Sequence, residues 1–104
     1  MPPLISVFPK CYFDDLCAGR MDYLQWLRDA RALGGEGIEH YDGFLDPLGP
    51  DAARRVRDVM EETGQASSLL CFSPDFTHPD AEERKRQVQR QKAAIDMSVA
   101  LGLR

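Results

Sequence analysis

One pattern limits what this chain can fold into: an apolar run, a turn-rich stretch and a helical stretch, in that order, three times over. The runs are "LISVF" (residues 4–8), "GIEHY" (residues 37–41) and "ASSLLCF" (residues 66–72), and their starts lie 33 and 29 residues apart. That spacing is the period of a parallel βα unit rather than of a solenoid. Right-handed crossovers between successive strands would place all three helices on one face of a parallel sheet.

The helical stretches carry their own punctuation. The first is predicted over residues 22–33, with Asp22 as N-cap and Tyr23, Trp26, Leu27, Ala30 and Leu33 on one face. Gly34 ends it. The second is predicted over residues 51–63, with Ala52, Val56, Val59, Met60 and Thr63 inward and Gly64 as its stop. The third is predicted from Pro79 to about Leu101, capped by Thr77 or Asp80. Its expected stripe is Val88, Lys92, Ile95 and Val99, widened by Ala94, Met97 and Leu101.

Composition narrows the function classes. The chain has 104 residues, 43% hydrophobic and 29% charged, with a net charge of −4. That suffices for one small domain with a modest core. Charges of both signs are mixed along the helices, so no basic stripe supports nucleic-acid binding. Apolar runs fall far short of a membrane span, and "MPPLISVFPK" has neither the basic nor the long apolar region of a signal peptide. Three cysteines, Cys11, Cys17 and Cys71, fit a reducing cytoplasm better than a disulfide framework.

A sheet covered on one face leaves the other face bare, and closing the sheet into a barrel solves that problem. Strand parity agrees. In "GIEHY", Ile38 and His40 point one way, toward the helices, and Glu39 and Tyr41 the other, toward a barrel interior. A (β/α)8 barrel takes about 250 residues. The expected fold class is therefore α/β: three consecutive βα units of a (β/α)8 TIM barrel, with residues 1–104 forming the N-terminal part of a single domain.

Three pieces, "GIEHYDGFL", "CFSPDFTHPDAEER" and the "LQWLRDARALG" helix, resemble the sugar phosphate isomerase/epimerase family, the xylose isomerase-like TIM barrels related to endonuclease IV. The resemblance covers nearly the whole chain and the first three-eighths of the family's fold. It implies proton transfer next to the carbonyl of a sugar or sugar phosphate. It also implies a divalent metal in the full-length enzyme, held by acidic and histidine ligands on later strands, with none expected for this chain alone. A dehydratase or an endonuclease on the same barrel is the alternative within enzymes. Outside enzymes, the alternative is a non-catalytic βα module that self-associates through its bare sheet face and edges.

Within these 104 residues the candidate substrate-binding positions are Glu39, His78, Lys10, Tyr41 and Phe76. A charge in mid-strand is costly without a partner, so Glu39 is either a site carboxylate or a hydrogen-bonding residue inside the barrel. His78, between a strand end and a helix start, either contacts a substrate hydroxyl or phosphate, or serves as an auxiliary metal ligand, or is a solvated loop histidine beside a helix cap. Lys10 can hold an anion or lie free. Tyr41, Phe76 and Phe44 can form an apolar wall for a sugar ring or anchor their loops. The glycines of "GGEG" close a helix and enter a strand, the reverse of a phosphate-binding loop.

Overall fold

The computed structural model describes residues 4–103. Three parallel strands form one sheet in the order β1-β2-β3, with β1 at Ser6–Val7, β2 at Gly37–Tyr41 and β3 at Ala66–Cys71. Three long helices follow them in turn: α2 (Tyr23–Ala32), α4 (Ala52–Thr63) and α5 (Ala81–Ala100). Two short ones, α1 (Phe13–Cys17) and α3 (Asp42–Leu45), sit between strand and long helix in the first two units. No described helix is long and apolar enough to cross a membrane.

Each long helix begins and ends for local reasons. The Asp22 carboxylate accepts the Leu24 N–H at 3.0 Å, and the Asp80 carboxylate accepts the Glu82 N–H at 3.1 Å. Of the two expected caps for α5, Asp80 fills the role. Asp51 caps α4 without a side-chain hydrogen bond. Gly64 ends α4 at φ 71°, a left-handed conformation that carries no Cβ penalty at glycine.

The core lies between the helices and the sheet. Tyr23, Leu27, Ile38, Phe44, Leu45, Leu16 and Val56 are almost wholly buried, and each apolar side chain of this kind contributes about 1.5–3 kcal/mol. Ile38 and His40 face the helices, as the parity predicts, and both are fully buried. His40 is held there by polar partners. The Tyr23 hydroxyl donates to its Nδ1 (2.6 Å), its Nε2–H donates to Ser67 Oγ (2.9 Å), and the Ser67 hydroxyl points to Met60 Sδ (3.3 Å). Gln65 ties three segments together: its amide N–H groups reach Leu27 O and Gly35 O, and its oxygen accepts from Thr63.

β3 carries an irregularity. Ile38 pairs with Ser67, but Glu39 pairs with Leu69, so Ser68 is extra. The bulge turns Ser68, Leu69 and Cys71 toward the bare face and leaves Ser67 and Leu70 toward the helices. On the bare face, the hydroxyls of Ser6 and Ser68 hydrogen-bond to each other across β2. Gly37 lies beneath them, and a Cβ there would meet Ser6 Oγ at 3.1 Å and Ser6 Cβ at 3.2 Å.

Two helix faces differ from expectation. Leu33 is 90% exposed, while Leu24 joins the buried face of α2. On α5, Gln87, Ala94 and Leu101 face the protein, and Val88, Ile95 and Val99 are exposed. Of the expected face, Val88, Lys92, Ile95 and Val99 lie on the side of the helix away from the protein, while the widening residues Ala94, Met97 and Leu101 pack inward as predicted. α4 has a helix on either side of it; α5 has a described neighbour on one side only.

Candidate functional site

The C-terminal ends of the three strands and the segments after them carry the candidate residues. After β1, a 3-10 turn at Lys10–Tyr12 leads into α1. Phe13, at the start of α1, is half-buried, and its ring meets Tyr41 at 4.8 Å and Phe44 at 5.3 Å between centroids. Tyr41 meets Phe44 at 5.4 Å, and Phe8 closes on Phe44 at 5.6 Å. Phe44 is fully buried, so it anchors its loop and is not a wall of the site. Lys10 Nζ stands 5.3 Å from the Phe13 ring centroid. The structure thus brings Lys10 and Tyr41 together around one aromatic ring.

The electrostatics of this corner follow from burial. Burial, with Asp42 next in weight, pushes the Tyr41 phenol up, so it stays protonated and able to donate. Burial likewise raises the Asp42 carboxyl, opposed by the Gly43 N–H and by Arg90. The Cys17 thiol is raised by burial, then by Asp14, Asp42 and Asp46, which keeps it protonated. Arg90, from α5, stands 3.6 Å from Asp42 and 5.1 Å from the centroid of Phe72. It links the end of β3 to the end of β2.

The loop after β3 is organised mainly by its own hydrogen bonds. Asp75 accepts from the Thr77 N–H and hydroxyl at 3.0 and 2.9 Å, and its own N–H donates to Gln87. His78 Nδ1 accepts the Asp80 N–H at 3.1 Å, and the His78 carbonyl accepts from Arg84 at 2.7 Å. With Nδ1 used as acceptor, the neutral ring carries its proton on Nε2, which remains a donor. Phe76 is about half exposed. Glu39 lies half-buried on the bare face of the sheet. No hydrogen bond or ion pair joins Glu39 or His78 to Lys10 or Tyr41 among the described residues.

The five positions therefore fall into three places: Lys10 with Tyr41, His78 with Phe76 in the next loop, and Glu39 on the strand face. Reading the sequence missed Phe13, Arg90 and the short helix α1. "FDDLC" puts Phe13, Leu16 and Cys17 at helical spacing, which is a signal, but five residues are too few for periodicity to stand out. Among the described residues no three His, Cys, Asp or Glu side chains converge closely enough to hold a metal ion. The residues in hand do not by themselves fit a metal centre.

A family model described as xylose isomerase-like TIM barrel matches residues 27–104. The chain belongs to this family. No curated protein matches it. The match begins within α2 and covers β2, β3 and α5, so the parallel βα architecture and the family assignment agree over three-quarters of the chain. In xylose isomerase-like TIM barrels, as in barrels generally, chemistry is done at the C-terminal ends of the strands. Lys10, Tyr41, Phe76 and His78 occupy that end, and Glu39 lies one turn of the pleat below Tyr41 on the same face.

Proposed function

We propose that this chain forms the first three βα units of a barrel enzyme that isomerises or epimerises sugars or sugar phosphates by proton transfer next to a carbonyl. The observation that carries this reading is the gathering of Lys10, Phe13 and Tyr41 at the strand ends of a chain in this family. Residues 1–104 are read as the N-terminal part of one barrel domain, working in the cytoplasm.

Each residue has a role its chemistry allows. Phe13 and Tyr41 offer ring surface to the C–H face of a sugar. The Tyr41 phenol and the His78 Nε2–H donate to hydroxyl oxygens. The Lys10 ammonium meets the anionic end of a sugar phosphate, next to a ring whose electron-rich face already attracts it. Phe76 covers the substrate from the third loop. Glu39 accepts hydroxyl protons from the floor. Removing the proton next to a carbonyl moves an electron pair toward the carbonyl oxygen, so the reaction needs a carboxylate base and a stabilised oxyanion. A divalent metal in the full-length enzyme belongs to this reading, with its ligands on strands beyond the third; these residues support binding and orientation.

The test is a titration of the chain with a ketose phosphate, followed by amide and side-chain NMR shifts, with inorganic phosphate and the free sugar as controls. Shifts are expected at Lys10, Phe13, Tyr41 and His78, and Lys10→Met should weaken phosphate-ester binding more than free-sugar binding. Shifts confined to the helical face, or none at all, would overturn the reading.

A further inference from the structure

The loop between β3 and α5 has a curl of its own but no backbone ladder to hold it. Among the described residues, no backbone–backbone hydrogen bond begins or ends within residues 73–79. Its internal bonds run to side chains: the Thr77 N–H and hydroxyl fold back on Asp75, and the Asp80 N–H on His78 Nδ1. Such bonds shape the loop and leave its position against the rest of the protein free. Two side chains of α5, three residues apart, fix that position. Arg84 donates to the His78 and Pro79 carbonyls at 2.7 and 3.0 Å, and Gln87 Oε1 accepts the Asp75 N–H at 3.2 Å. Phe76 lies between the two anchored points.

Gln87 is the more telling of the two anchors. It is only 7% exposed, and burying an amide costs free energy unless its polar atoms are bonded. Ala94 and Leu101 fill the same inward face of α5 without that cost. Both ends of the Gln87 amide are used: the oxygen takes the Asp75 N–H, and the nitrogen donates to Glu83 Oε1 at 2.8 Å. A backbone N–H only donates and a carboxylate only accepts, so the amide has one orientation here. Glu83 is itself gripped by Arg86 at 2.6 Å. A chain of bonds therefore runs from the first turn of α5 through Gln87 to the backbone just before Phe76.

We propose that Gln87 is a positioning residue: it holds the loop after β3 in one pose and so presents Phe76 and His78 at the strand ends. It acts through the Asp75 backbone and touches no substrate itself. Because the loop is already ordered in the free protein, a ligand meets Phe76 and His78 without having to immobilise them. That the pose serves a sugar or sugar phosphate rests on the function proposed above; that Gln87 sets the pose does not.

Amide NMR relaxation and exchange, with a ketose phosphate titration, test it. In the unaltered chain, order parameters over residues 75–78 should be about 0.85, the value of rigid backbone, and values below about 0.6 would overturn the proposal. Gln87→Met keeps an unbranched side chain of good helical preference and removes both bonds. It should drop those order parameters below about 0.6 and speed exchange of the Asp75 amide by about fivefold or more, the factor that one ordinary hydrogen bond carries. Its circular dichroism spectrum should not change. Glu83→Gln with Gln87→Glu swaps the two groups, preserves the net charge and gives the Asp75 N–H an acceptor again. The swap should return both readouts toward those of the unaltered chain, a rescue that a packing role alone does not predict. A Gln87→Met loop as ordered as the original, or a swap that leaves it mobile, would overturn the proposal. The ketose phosphate should shift Phe76 and His78 in the unaltered chain, and Gln87→Met should raise its dissociation constant about threefold or more, with the shifts at Lys10 and Tyr41 retained at saturation. Equal affinity despite a loosened loop would overturn the presenting role. No response of the unaltered chain would overturn the substrate reading, while relaxation and exchange still decide whether Gln87 sets the pose.

Discussion

His40 shows how burial sets the chemistry of a single side chain. Its ring is fully buried, and both nitrogens have hydroxyl partners, Tyr23 at Nδ1 and Ser67 at Nε2, so the neutral ring is satisfied there and no carboxylate is bonded to it to stabilise a charge. Burial lowers its pKa from an ordinary 6.5 to about 4. Above pH 6.5 the folded and unfolded chains are both neutral at this position, so stability does not change with pH on its account. Between pH 6.5 and 4 the unfolded chain binds a proton that the folded chain refuses. Stability should then fall by about 1.4 kcal/mol per pH unit, to a total of about 3 kcal/mol. Urea midpoints measured from pH 7.5 to 4.5 should show this slope, and His40→Gln should remove most of it. An equal slope in both proteins would mean that other groups carry the acid sensitivity. His78, the other histidine, is tied to backbone and is not buried in this way. The distinction was legible in the sequence from strand parity alone, which turned His40 toward the helices and left His78 in a loop.

At the scale of elements, α5 depends on its first turn. Asp80 accepts the Glu82 N–H, and Glu83 holds Arg86 at 2.6 Å and Gln87 at 2.8 Å. Asp80→Ala should cost about 1 kcal/mol, read as a lower urea midpoint and as faster amide exchange over residues 81–84. Exchange unchanged there would show that the Arg84 contacts to the His78 and Pro79 carbonyls hold the turn instead. The caps and stops of the long helices were legible because they depend on neighbours in sequence. The inward faces of α2 and α4 were mostly legible too. The face of α5 was legible only in part: Ala94, Met97 and Leu101 reach the protein as expected, with Gln87 beside them, while Val88, Ile95 and Val99 do not, because a helical stripe marks a surface that packs without saying against what. The short helices α1 and α3 exist because Leu16, Phe44 and Leu45 are buried, a tertiary cause that leaves little local pattern. The bulge at Ser68 hid the parity of β3 for the same kind of reason.

For the molecule as a whole, exposed apolar surface at two edges has a measurable signature. Ile95 and Val99 are more than half exposed in the single chain, so Ile95→Lys with Val99→Glu should change the stability of dilute protein little, within about 0.5 kcal/mol per site, and its melting temperature correspondingly little. The same pair of changes should raise solubility. A large drop in melting temperature would mean that these side chains are part of the fold's own core. The candidate site has a comparable division: the positions of Lys10 and Tyr41 were legible as strand-end residues, but their meeting at Phe13 depends on a helix that the sequence barely announces.

The hydrogen bond between Ser6 and Ser68 has a geometric meaning. Adjacent strands lie about 4.8 Å apart, so β1 and β3 are separated by about 9.6 Å in a flat sheet. The Ser68 bulge shortens it: the Ser68 hydroxyl leans over the middle strand, donating to Ile38 O at 3.1 Å, and there meets Ser6. Gly37 leaves the room in which they meet. Two serines and a glycine thus tie the first and third strands together across the face that a closed barrel would turn inward.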